Sequence, residues 1–122
     1  MSDIVGKINF CVYIGDDFIQ ELEIKDKDTG LVIDVSGYTF KMQIRSCKDN
    51  AIIIHELNSP AGSGIDISNG ANGIIILTIS KTDTLNFTEQ NAVYDIYWTD
   101  DSGNIKTFVQ GNFQILERIT KN

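Results

Sequence analysis

The residues able to do chemistry are few: one histidine, His55, two cysteines, Cys11 and Cys47, and carboxylates gathered in turns. His55 is followed by Glu56, which in a β-strand projects to the opposite face, so the adjacent acid cannot serve as its partner. No Gly-x-Ser-x-Gly or Cys-His pattern supplies a nucleophile with a base, and a surface or interfacial histidine is the expectation. Asp26, Asp28 and Gly30, and separately Asp100, Asp101 and Asn104, present the oxygen ligands that calcium requires, but neither set continues to a twelfth-position glutamate. Asp, Asn and Gly are also what tight turns need, and turns account for both sets. Cys11 and Cys47 can meet only if their strands are neighbours, and two free thiols are expected. Asn86-Phe87-Thr88 matches a glycosylation acceptor, a pattern with meaning only in a secretory pathway. The reading is a protein with no catalytic set, no cofactor and no metal, hence not an enzyme.

Binding is the remaining chemistry. Tyr13, Val93, Tyr97 and Phe108 fall on the outward parity of their strands, where Lys or Thr is commoner, and form a candidate interface; Leu116 shares that parity. The stretch Asp16 to Asp28 holds six carboxylates, which suits a basic partner or a cation as well as a solvated strand face. Trp98 falls on inward parity with Tyr94 and Ile96, a core role that makes it a poor sugar platform.

The elements that must position these groups are strands. Apolar residues recur with period two almost throughout, and helical spacing is nearly absent. In a first strand, Ile4 to Ile14, the even positions Ile4, Ile8, Phe10, Val12 and Ile14 should be buried. Phe18 to Lys25 sets Phe18, Leu22 and Ile24 against Glu21, Glu23 and Lys25, and Tyr38 to Ser46 sets Tyr38, Phe40, Met42 and Ile44 against Thr39, Lys41, Gln43 and Arg45. The run Ile52-Ile53-Ile54 leaves the register of a strand from Ala51 to Leu57 open. A loop with Pro60, a short strand from Gly64 to Ser68 and a turn with two Asn-Gly pairs follow, giving a hairpin into Ile74 to Ser80. Lys81 to Gln90 is the one segment with room for a helical turn. Ala92 to Thr99, a turn at Asp100 to Asn104, and Ile105 to Thr120 complete the chain, Gly111 marking a bulge or bend. The first and last strands are the longest and are expected at sheet edges.

Seven or eight strands at roughly ten-residue spacing predict an all-β fold, an antiparallel β-sandwich or barrel; the sandwich, of immunoglobulin-like type and filling a single domain, residues 1–122, is the favoured reading. The passage from Leu77-Thr78-Ile79-Ser80 to Val93-Tyr94-Asp95-Ile96 has the tyrosine of such domains, while Ile96 stands where antibody domains carry cysteine, which suits a reducing compartment. Seventeen acidic against ten basic residues give a net charge of −7, the wrong sign for nucleic acid. No apolar run approaches the roughly 20 residues that span a membrane, and the start MSDIVGKINF lacks an apolar leader core, so no membrane partner is expected.

Gly15-Asp16-Asp17-Phe18, Lys25-Asp26-Lys27-Asp28-Thr29-Gly30 and the run Val35 to Arg45 follow one another in an order that resembles tailed-phage structural modules, in particular the immunoglobulin-like domain at the N-terminus of phage baseplate upper proteins. Gly73 to Ser80, Val93-Tyr94-Asp95-Ile96 with Thr99 to Asn104, and Val109-Gln110-Gly111-Asn112-Phe113-Gln114-Ile115 extend the resemblance over about residues 15–117. It implies a non-enzymatic virion structural protein, made in the bacterial host cytoplasm and used as an attachment or adaptor module of the tail, baseplate or fibre region. Its implied partners are other virion proteins, in a multi-copy or homo-oligomeric arrangement. Longer relatives carry the module ahead of a coiled coil or receptor-binding region, whereas this sequence ends at Asn122. A capsid decoration (cement) protein on the phage head is the alternative. A carbohydrate-binding module, resting on Tyr13, Tyr97 and Phe108, is a weaker one.

Overall fold

A computed structural model describes residues 6–47, 52–59 and 63–120. Two sheets face each other across one core. The large sheet has the order β1-β9-β8-β4-β5 with β2 also on β9, and the small sheet has the order β3-β7-β6. The strands are β1 (Gly6–Lys7), β2 (Phe10–Tyr13), β3 (Phe18–Glu23), β4 (Thr39–Ser46), β5 (Ile53–Asn58), β6 (Ile65–Asp66), β7 (Ile74–Ile79), β8 (Gln90–Thr99) and β9 (Ile105–Leu116). The β-sandwich is as expected; Ile4, Ala51 and Pro60 lie outside the described residues.

Alternation does the sorting. Along β4 Phe40, Met42 and Ile44 are buried, and along β8 Ala92, Tyr94, Ile96 and Trp98 are. On β7 Ile75, Leu77 and Ile79 face them from the small sheet. Aromatic rings bridge the layers: Phe10 meets Phe18 edge-on at 5.5 Å, and Phe18 lies 5.1 Å from Phe113. The expected helical turn is α1 (Lys81–Thr84), capped by Ser80, whose side chain accepts the Asp83 N–H. Buried Thr84 ties it to the β2–β3 turn by donating to the Asp16 carbonyl (2.8 Å) and accepting from Gly15 N (3.1 Å).

Three expectations need correction. The first strand is two strands, broken at Ile8-Asn9, and both pair with β9 in parallel, so the sandwich is not wholly antiparallel. Ile8 is 40% exposed instead of buried. At the break the Tyr94 hydroxyl donates to the Ile8 carbonyl (2.6 Å), while Asn9 Oδ1 accepts the Asn112 N–H (3.0 Å), so a side chain fills in for the ladder. Finally, β9 is no edge: it lies between β1/β2 and β8, because the N-terminal segment crosses to the large sheet.

The Tyr94 hydroxyl is therefore a structural bond over 86 residues of chain. Burial pushes its pKa above the usual tyrosine value of 10.0. Replacing Tyr94 by Phe orphans the Ile8 carbonyl and should cost about 1–2 kcal/mol, read as a lower urea midpoint. Since the folded pKa exceeds the unfolded one, the phenol's contribution is complete below pH 10 and is lost as pH rises through the folded value. The alkaline loss of stability should accordingly be shallower in Tyr94→Phe than in the parent.

Candidate functional site

The outer face of the large sheet carries three of the four residues read as a candidate interface, Tyr13, Val93 and Tyr97. Odd-numbered β8 positions Asn91, Val93, Asp95, Tyr97 and Thr99 point outward, opposite the buried even ones. Their neighbours on β4 are fixed by register: Tyr97 beside Lys41, Asp95 beside Gln43, Val93 beside Arg45. On the other flank lie Gln110, next to Asp95, and Asn112, next to Val93. A shallow trough of about 540 Å³ runs over this region, lined by Lys7, Gln43, Arg45, Val93, Asp95, Gln110 and Asn112 among others.

Its side chains are pinned to one another. The Arg45 guanidinium donates twice to Gln43 Oε1, from Nε (3.1 Å) and Nη2 (2.7 Å), and Gln43 Nε2 in turn donates to Glu56 Oε1 at 2.7 Å. Asn58 Nδ2 donates to Glu56 Oε2 (3.1 Å), and Lys41 Nζ stands 3.8 Å from Oε1. The Gln43 bond, with help from Asn58, holds the Glu56 carboxyl below the ordinary glutamate range. Sequence reasoning missed this network. Outward Lys41, Gln43 and Arg45 were legible in the β4 alternation, but Glu56 and Asn58 needed the β5 register. That register shifts between Ile44 and Arg45, leaving Ile54 without a partner of its own.

Tyr13, Val93 and Tyr97 all lie on this outer face, Tyr13 44% exposed at the far end of β2 and the other two half-buried. They do not form one apolar patch, since Asp95 separates Val93 from Tyr97. Phe108 does not belong with them. It is 5% exposed, stacked on Trp98 at 4.9 Å and edge-on to Phe40 at 5.7 Å. The β8–β9 register slips between Ile96 and Tyr97, so parity reverses along β9 and Phe108 and Val109 are both buried.

The remaining candidates take plain roles. His55 faces the core side, its ring edge-on to Phe87 at 5.7 Å, while Glu56 points outward. Burial lowers the His55 pKa, with Asp83 opposing. Cys11 and Cys47 are free and exposed, on β2 and after β4, with β9 and β8 between their strands. Asp26 Oδ1 accepts the N–H groups of Asp28 and Thr29, and Asp100 Oδ1 those of Ser102 and Asn104, so each caps its own turn. Among the described residues no group of three or more His, Cys, Asp or Glu is placed to hold a metal ion.

Comparison by sequence finds no matching family model and no matching curated protein. Among solved structures, the chain is similar to CopC from Methylosinus trichosporium OB3b, with a TM-score of 0.51 at 10% identity, over 93% of this chain and 89% of that one, a likeness of fold alone.

Proposed function

We propose that this chain is a non-enzymatic attachment module of a tailed-phage particle, docking on other virion proteins through the outer face of its large sheet. The observation that carries the reading is the pinned Arg45–Gln43–Glu56–Asn58 network. Binding normally costs the ordering of long polar side chains, and a face already ordered in the free protein avoids much of that cost. The partly exposed Tyr97 and Val93 beside it supply apolar contact of the kind interfaces favour. The sequence resemblance supports a phage module, and its segments fall on β4, β7, β8 and β9 and on the turns before and after β3 and between β8 and β9.

Quantitative mass spectrometry of purified particles released from the producing host tests this. Copies in multiples of three or six are expected for a tail or baseplate ring. Hundreds per particle would favour the alternative of a capsid decoration protein, and absence from the particles would overturn both.

A further inference from the structure

The acidic stretch from Asp16 to Asp28 is explained by neither the core nor the outer face of the large sheet. Its middle is β3, a terminal strand that, among the described residues, pairs with β7 alone. Ile24 N donates to Gly73 O (2.7 Å), and the register is constant through β3, so Phe18, Gln20 and Leu22 exchange bonds with β7. The N–H and C=O groups of Ile19, Glu21 and Glu23 therefore point away from the sheet. The Gln20 side chain donates to the Glu21 carbonyl (3.2 Å), occupying with an amide a place that a strand would take.

The side chains around this edge form a pattern. Ile19, 69% exposed, Glu21 and Glu23 lie in a row on the outer face, with half-buried Ile76 and Ile74 opposite the two acids on β7. Beneath the edge the sandwich is not closed. A slot of about 230 Å³ opens between the sheets, lined by Ile8, Leu22, Ile24, Phe108 and Val109 with Gly6, Glu23 and Lys25 at its rim.

We propose that the β3 edge takes up an extended segment of a basic partner as a fourth strand of the small sheet. Charge chooses the occupant: residues 16–28 contain six carboxylates against two lysines, and although Lys25 stands 3.1 Å from Glu23 and Arg118 pairs with Asp16, the stretch stays acidic and each chain carries −7, so a second copy is repelled where a cationic strand is drawn in. Geometry gives its sequence. In an antiparallel addition, the residue opposite Glu23 is Lys or Arg, the next enters the slot beside Leu22 and is apolar, and the third faces Glu21 and is again basic. The fifth covers Ile19 and is apolar. The inference concerns the sheet opposite the proposed docking face and stands without the phage reading.

The test is an amide-resolved NMR titration of the intact chain with two synthetic peptides. One places Lys-Val-Lys-Thr-Ile between neutral ends, and the other has Glu for both Lys. The Lys peptide should shift and protect the amides of Ile19, Glu21 and Glu23 and the Glu peptide should not. Glu21→Lys with Glu23→Lys should weaken the Lys peptide about tenfold and admit the Glu peptide. Glu21→Pro, which deletes an edge donor without touching β7, should abolish uptake while leaving the fold's spectrum intact. Equal binding of both peptides, shifts confined to the large sheet, or binding by neither peptide would each overturn the proposal, the last meaning that the acids only guard the edge. So would a concentration-dependent dimer that Glu21→Pro dissolves, since a second copy would then be the occupant.

Discussion

Gly111→Val is expected to cost at least about 3 kcal/mol, enough to remove a large share of a domain's usual stability. Gly111 lies opposite Tyr94 on β9, and the Ile8 carbonyl sits directly over its Cα. A Cβ there would fall far inside van der Waals contact with that oxygen, 2.8 Å from the Ile8 carbonyl carbon and 3.1 Å from Asn9 Oδ1. The obstacle is backbone, which cannot swing aside as a flexible side chain can. Relief requires the Ile8-Asn9 break to lift, which takes the acceptor from the Tyr94 hydroxyl and the Asn9 side chain from Asn112 N. The loss should appear as a lower urea midpoint at unchanged slope. It should overlap with that of Tyr94→Phe, so the double variant should lose less than the two single changes added together. A Gly111→Val midpoint matching the parent's would refute the close approach.

Phe108→Ala should cost about 3–5 kcal/mol, whereas Tyr13→Ala should stay within about 0.5 kcal/mol of the parent. Both aromatics read as outward from strand parity alone, and the structure separates them. Phe108 stacks on Trp98, which in turn packs on Tyr38 at 5.3 Å and Phe40 at 6.4 Å, so truncation opens a cavity beside the three remaining rings of this cluster. Tyr13 ends an edge strand with 44% of its surface in water and lies outside the core cluster, so its truncation opens no core cavity. Thermal unfolding of the two variants side by side decides the matter, and equal transition temperatures would mean that the register slip between Ile96 and Tyr97 is wrong. The same pair sorts stability from binding, since Tyr13 remains available to a partner where Phe108 does not.

Strand identity was legible because burial on one face imposes a period of two that no other element shares. In β4 and β8 it assigned the buried face without error, down to Trp98 as a core residue. Turn chemistry was equally local: Asp100 accepts the N–H groups of Ser102 and Asn104, with Gly103 at φ +86°, as the composition of that hairpin requires. The candidate face was legible in part. Val93 and Tyr97 were placed outward correctly from β8 alone, but their neighbours on other strands were not.

What the order of residues determined by itself is the all-β sandwich, the helical turn after Ser80 and the sidedness of the regular strands, since each follows from contacts within a few residues. What only the tertiary structure decided is which strands are edges, where Ile8 turns its carbonyl, and that Phe108 is core. A bulge adds one residue and reverses every side chain beyond it, and nothing near Ile96 or Ile44 announces the extra residue. Strand order has the same character: the parallel pairing of Phe10 with Phe113 joins residues at opposite ends of the chain, and its stability arises from the sheet they complete rather than from either segment.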